Sequence, residues 1–173
     1  MRQLRPTDLK RLHRDWSRRS TGRLALLLDA VQSPYNVGSI VRTAAAYRVE
    51  HLYLCGQTAS PGSPKATKVS LGTERYLSWT VFERGADAAD AAREDGFSVV
   101  GIELADDAMP LHGLAPGGDV CLAFGNEDHG IGPATLAACD AVAFLPLMGR
   151  VGSLNVATAA AVAMYEIRRQ SWT

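Results

Sequence analysis

Apolar residues in this chain gather into short unbroken runs, and stretches of helical spacing separate the runs. Residues 24–28, Leu-Ala-Leu-Leu-Leu, carry no polar position at all. A strand covered on both faces needs no alternation, so this run predicts a fully buried parallel strand. Residues 51–55, 77–82, 98–102, 120–124 and 141–144 predict further strands. Helical spacing falls between them. In 7–17, Leu9, Leu12 and Trp16 recur on one face behind a Thr7 cap. A second helix runs from an Asn36 cap to about Tyr47, and shorter ones cover 86–94 and 133–138. Residues 156–167 are Ala-rich and apolar on nearly every side, which predicts a buried helix. Residues 29–35, 57–63 and 106–118 carry turn residues and read as connections, and 65–74 as a basic loop. Strands alternating with helices imply an α/β domain with a parallel sheet.

The stretch from Ala143 to Ala157 organises the rest. It begins as the last strand, which Pro146 ends because proline has no N–H to donate. Gly149 and Gly152 permit a sharp turn, and Ser153 and Asn155 are both suitable caps for the helix that follows. A strand, a glycine loop and a helix start leave free backbone N–H and C=O groups together, which suits a ligand. An ordinary connection whose Ser and Asn only cap the helix fits the same residues.

At 173 residues the prior is one domain with an adequate core. Three widely spaced cysteines without a CxxC pair speak against a metal knot or a disulfide framework, and Cys121 fits a small buried hydrophobe. No apolar run reaches membrane-spanning length and no signal core opens the chain, so the cytoplasm is the expected location. Zero net charge first argues against a nucleic-acid partner, but its distribution changes that picture. Residues 1–23 hold eight basic and two acidic residues, a net +6. The other 150 hold ten basic and sixteen acidic residues, a net −6, so a basic arm precedes an acidic body.

Three stretches resemble, in order, the signature motifs of the SpoU/TrmH branch of the SPOUT RNA methyltransferases. They are Asn36-Val-Gly-Ser-Ile-Val-Arg42-Thr-Ala44, Ala123-Phe-Gly-Asn-Glu127-Asp-His-Gly-Ile131, and Leu145-Pro-Leu-Met-Gly149 with Ser153-Leu-Asn-Val156. The resemblance extends from about residue 24 to 169. It implies one domain over 24–173 behind the 1–23 arm, with a parallel sheet, helices on both faces and a C-terminal trefoil knot. It further implies a homodimer whose two subunits complete the cleft.

The reaction the resemblance implies is transfer of a methyl group from S-adenosylmethionine to an RNA ribose 2′-hydroxyl, without metal. Arg42 matches the family residue that activates the hydroxyl, and Asn36, Glu127, Ser153 and Asn155 match groups that support the site. Because a guanidinium stays protonated, the safer role for Arg42 is to hold a phosphate and stabilise the developing alkoxide. The cofactor would lie against Leu122, Ala123, Phe124, Gly125, Phe144, Leu145, Pro146, Met148, Ser153 and Leu154. RNA would meet Arg11, Arg14, Arg18 and Arg19 of the arm, and Lys65 and Lys68. Transfer RNA is favoured as substrate because the chain is close to a bare catalytic domain. Ribosomal RNA, and a non-catalytic RNA-binding protein of the same fold, are the alternatives. A nucleotide-binding oxidoreductase is disfavoured, since no GxGxxG follows the first strand.

Overall fold

The computed structural model describes residues 2–115 and 117–172. Seven parallel strands form one sheet in the order β3-β2-β1-β6-β4-β7-β5. They are β1 (Leu24–Asp29), β2 (His51–Cys55), β3 (Ser78–Phe82), β4 (Ser98–Ile102), β5 (Met109–Pro110), β6 (Val120–Phe124) and β7 (Ala141–Phe144). The helices are α1 (Pro6–Arg19), α2 (Pro34–Ala46), α3 (Pro64–Ser70), α4 (Gly85–Glu94), α5 (Pro133–Ala137) and α6 (Val156–Gln170).

β1, up to its terminal Asp29, and β6 are central and apolar because both faces are covered, with Leu26 opposite Leu122 in the shared register. Leu24, Leu26 and Leu28 point to one face, where Ile40 and Val41 of α2 and Ala163 and Met164 of α6 pack. Ala25 and Leu27 point to the other, against Ala88, Ala89 and Ala92 of α4. Helices on both faces are thus a direct result of a two-sided hydrophobic strand. Cys121 is fully buried in this second layer.

Several local expectations change. α2 begins at Pro34 with Ser33 as its cap, so Asn36 lies inside the first turn. Proline suits that first position, where its missing N–H would have no partner in any case. The basic stretch at 65–74 is no loop: Ser63 caps α3, and Thr73–Tyr76 form a 3₁₀ turn. The connection at 106–118 contains the short edge strand β5 and a second 3₁₀ turn, Leu111–Gly113. α6 is covered on one side only: Ala160, Ala163, Met164, Ile167 and Arg168 are buried, while Val162 and Tyr165 are about half exposed. The α1 stripe is not docked along its length. No α1 residue is buried, and Leu9, Leu12 and Trp16 are 40–43% exposed. Only its C-terminal end touches the body, through Trp16 against Trp172 (ring centroids 4.9 Å apart) and through Arg48, which donates to the Ser17 carbonyl.

Candidate functional site

The three motif stretches meet at the C-terminal ends of the central strands, where open parallel sheets commonly bind ligands. A cavity of about 620 Å³ opens there. Its floor is apolar, with Phe124, Phe144, Leu145, Leu154 and Val156, and its rim is acidic, with Glu103, Glu127 and Asp128. Among the described residues no Lys or Arg lines it. A second cavity of about 730 Å³ lies at the opposite end of β1, but its Arg23 is already paired with Asp119 and Glu50.

Side chains from all three motifs are joined by hydrogen bonds. Asn155 caps α6: its Oδ1 accepts from the amides of Ala157 (3.0 Å) and Thr158 (3.3 Å). That leaves its Nδ2 free to donate to Asn36 Oδ1 at 3.0 Å. Asn36 Nδ2 in turn donates to Glu127 Oε1 at 2.8 Å. The Glu127 carboxylate also accepts the amides of Ser33 (3.3 Å) and Gln32 (3.4 Å) at the start of α2. So Glu127 serves the N-terminus of α2, where a negative charge is favoured, and not the start of α5, whose cap is Gly132.

Partial burial pushes the Glu127 carboxyl up, but the hydrogen bonds from Asn36, Ser33 and Gln32 outweigh it and hold it below the ordinary carboxylate range. Such a group is ionised at neutral pH and a weak base. Its acceptor role orients Asn36, and Asn36 orients Asn155. The loop carrying Glu127 is closed by a bridge between Asn126 and Gly130, and Asn126 Nδ2 donates to the Ala30 carbonyl at 2.9 Å.

Ser153, Asn155 and Glu127 line the cavity, and Asn36 adjoins it through these bonds. Of the residues assigned to the cofactor, Phe124, Gly125, Phe144, Leu145, Ser153 and Leu154 line it as well. Leu122 and Ala123 lie fully buried within β6, Pro146 is exposed, and Met148 is 99% exposed; none of these four is on the wall. Arg42 stands apart. It is exposed, does not line the cavity, and makes no hydrogen bond or ion pair among the described residues. Six residues past Asn36, it sits roughly 9 Å further along α2 and on another side. That side passes over α3, where Gly38 meets the Ala66 carbonyl and Val69 with no room for a side chain. Arg11, Arg14 and Arg18 are exposed on α1, Arg19 lies 5.3 Å from the Trp16 ring, and Lys65 and Lys68 are exposed on α3.

Ser33, Asp29 and Glu103 were not legible as site residues. Glu103 lines the cavity directly after β4, and Asp29 ends β1. A carboxylate at the C-terminal end of a buried strand was the available signal. The cavity volume, apolar floor and acidic rim fit a nucleoside carrying a positive charge, as S-adenosylmethionine does. Among the described residues no three His, Cys, Asp or Glu side chains are placed to hold a metal ion.

Known proteins are similar to this chain in sequence and fold. The family model described as "SpoU rRNA Methylase family" matches residues 23–165. The chain is 34% identical over 148 residues to a 23S rRNA (guanosine-2′-O-)-methyltransferase of Acinetobacter baylyi, covering 85% of this chain and 60% of that protein. It is 31% identical to the tRNA (guanosine(18)-2′-O)-methyltransferase of Thermus thermophilus, covering 88% and 78%. An AdoMet-bound rRNA methyltransferase structure from Sinorhizobium meliloti superposes with a TM-score of 0.81 at 28% identity, over 90% of this chain and 59% of that one. The chain thus spans about three fifths of the length of the first curated relatives it matches. On the family model and the shared fold, this chain belongs to the SpoU rRNA methylase family.

Proposed function

We propose that this chain is an S-adenosylmethionine-dependent RNA ribose 2′-O-methyltransferase. The observation that carries the reading is the Asn155–Asn36–Glu127 hydrogen-bond chain beside an acidic-rimmed, apolar-floored cavity. When bound, the cofactor supplies an electrophilic methyl group. What remains for the protein is to position the hydroxyl and to accommodate the charge left as its proton departs. Ser153 at the cavity wall offers a hydroxyl to the ribose, and the Asn36–Asn155 pair holds the start of α6 in register with the start of α2. Arg42, with five donors and no partner of its own among the described residues, holds a substrate phosphate and stabilises the alkoxide.

A guanidinium outside the cavity has to be brought to one. We read the exposed α6 face, with Val162 and Tyr165, as part of a homodimer interface through which each subunit's Arg42 serves the other's cavity. The C-terminal trefoil knot belongs to the same reading, and the strand order, with β6 beside β1 and β7 beyond β4, is compatible with it. So does the division into an arm over 1–23, a catalytic domain over 24–173, and a cytoplasmic location. Among the described residues no helix is long and apolar enough to cross a membrane. Transfer RNA is the proposed substrate, in line with the similarity to the Thermus tRNA enzyme; ribosomal RNA is the alternative that the Acinetobacter relative favours.

Methyl-labelled cofactor incubated with purified tRNA and rRNA pools, followed by mass mapping, tests this. Label should appear as a 2′-O-methyl nucleoside in the tRNA pool, and calorimetry should give about one cofactor per chain. Label in rRNA alone moves the substrate. Absence of cofactor binding refutes the reading.

A further inference from the structure

Two carboxylates outside the motif hold the exit of the loop that carries Glu127. β6 lies between β1 and β4 in the sheet. At the end of β1, Asp29 Oδ2 accepts the Gly132 amide at 3.0 Å. Just beyond β4, Glu103 Oε2 accepts the Ile131 amide at 3.0 Å. Two consecutive amides at the exit of the Glu127 loop are therefore gripped from opposite sides of the strand that feeds it. Each carboxylate is also steadied by its other oxygen. Glu103 Oε1 accepts the Leu104 amide at 3.0 Å, and Asp29 Oδ1 lies 3.5 Å from the Cys55 thiol. The main chain of Glu103 is tied in turn to β7, its N–H donating to the Ala143 carbonyl at 2.9 Å.

The fit between clamp and loop is close. A side chain at Gly130, which has φ +70°, would run into the Glu103 carboxylate. One at Gly125 would run into the Gly130–Ile131 peptide. With both ends held, the loop has little freedom to shift without breaking a half-buried hydrogen bond. Displacing it would withdraw Glu127 from Asn36, and Asn36 from Asn155.

We propose that Asp29 and Glu103 are positioning residues that act on the reaction through Glu127. Glu103 lines the cavity and is placed to touch a ligand directly; Asp29 does not line it, and its effect reaches the site through the chain it holds, the 126–132 loop and the 30–33 segment that donates to Glu127. The inference rests on the methyltransferase reading for its activity measurements but not for its structural one.

The experiment compares Asp29→Ala, Asp29→Asn, Glu103→Ala and Glu103→Gln, each alone and combined with Glu127→Gln. Asp29→Ala and Glu103→Ala should each lower kcat about tenfold or more, with KM for RNA changed by less than about threefold. Asn and Gln keep a carbonyl acceptor for the loop amide, so these variants should recover most of the loss. In the Glu127→Gln background either Ala substitution should cost at most about twofold more, because variants acting through one group are not additive. Amide exchange at Ile131 and Gly132 should speed up in both Ala variants. Fully additive losses, or unchanged exchange at these two amides, overturn the clamp. A wild-type protein that transfers no methyl to any RNA overturns the methyltransferase reading, while the exchange measurement still decides the clamp.

Discussion

Arg168 is 8% exposed, yet among the described residues it forms no ion pair. Its guanidinium instead donates to the carbonyls of Tyr47 (2.8 Å), Arg48 (2.9 Å) and Gly22 (2.9 Å) and to Ser20 Oγ (3.2 Å). Two of those carbonyls close the C-terminal end of α2, where a cation is favoured. Burial pushes the Arg168 pKa down, but a guanidinium starts so high that it stays charged. One side chain therefore joins α6, the end of α2 and the entry to β1, far from the cavity. Arg168→Ala would leave three half-buried carbonyls without their donor and a void besides. It should cost about 2–4 kcal/mol and lower Tm by roughly 4–15 °C, with cofactor affinity unchanged. Thermal melts and calorimetry check both halves. Arg42 is the opposite case, exposed and unpaired among the described residues, and its removal should leave Tm almost unmoved.

α1 pairs a basic surface with an apolar stripe, and its own body covers neither. Arg11, Arg14 and Arg18 are exposed, and so are Leu9 and Leu12. Only its last turn is held, by Trp16 on Trp172, which in turn lies edge-on to Tyr165 of α6. Against a body of net −6, the arm is the strongest source of positive potential for a polyanion. Deleting residues 1–19 should leave cofactor affinity unchanged. It should weaken RNA binding about tenfold or more at moderate salt, and flatten the slope of log affinity against log salt by a few units. Charge reversal at Arg11 and Arg14 should reproduce part of that loss. An unaltered salt slope would shift the RNA contact to Lys65 and Lys68 on α3.

At the scale of the whole molecule, the cavity has an acidic rim and, among the described residues, no Lys or Arg on its lining, while the proposed reaction needs a cation near the RNA phosphate. A twofold dimer resolves this if each Arg42 serves the opposite cavity. Arg42→Ala and Asn155→Ala should then each abolish transfer alone. Mixed after unfolding and refolding together, they should regain roughly one quarter of wild-type activity, since about half of the dimers pair the two variants and each such pair has one intact site. Light scattering should report a dimer at micromolar concentration. A mixture as inactive as its parents, or an active monomer, would place Arg42 in its own subunit's site.

The strands and the class of fold were legible because a fully buried parallel strand leaves an unmistakable mark: 24–28 and 120–124 have no polar residue, whatever their neighbours are. The loops that line the cavity were legible as loops because turn chemistry and the three motifs are local. Sequence was less informative wherever a residue's role depends on what lies across the sheet. Asn36 has the composition of a cap, but Ser33 and Pro34 take the start of α2, and this frees Asn36 to bridge Asn155 and Glu127. The 156–167 run reads as buried all round, but apolar composition cannot say which side lacks a cover. Asp29 and Glu103 are 74 residues apart and carry no motif. They become a pair only because the sheet inserts β6 between β1 and β4 and brings two strand ends to either side of one loop. Burial, turn and cap preferences belong to the local chain, whereas partnership between distant polar groups is decided by strand order and packing.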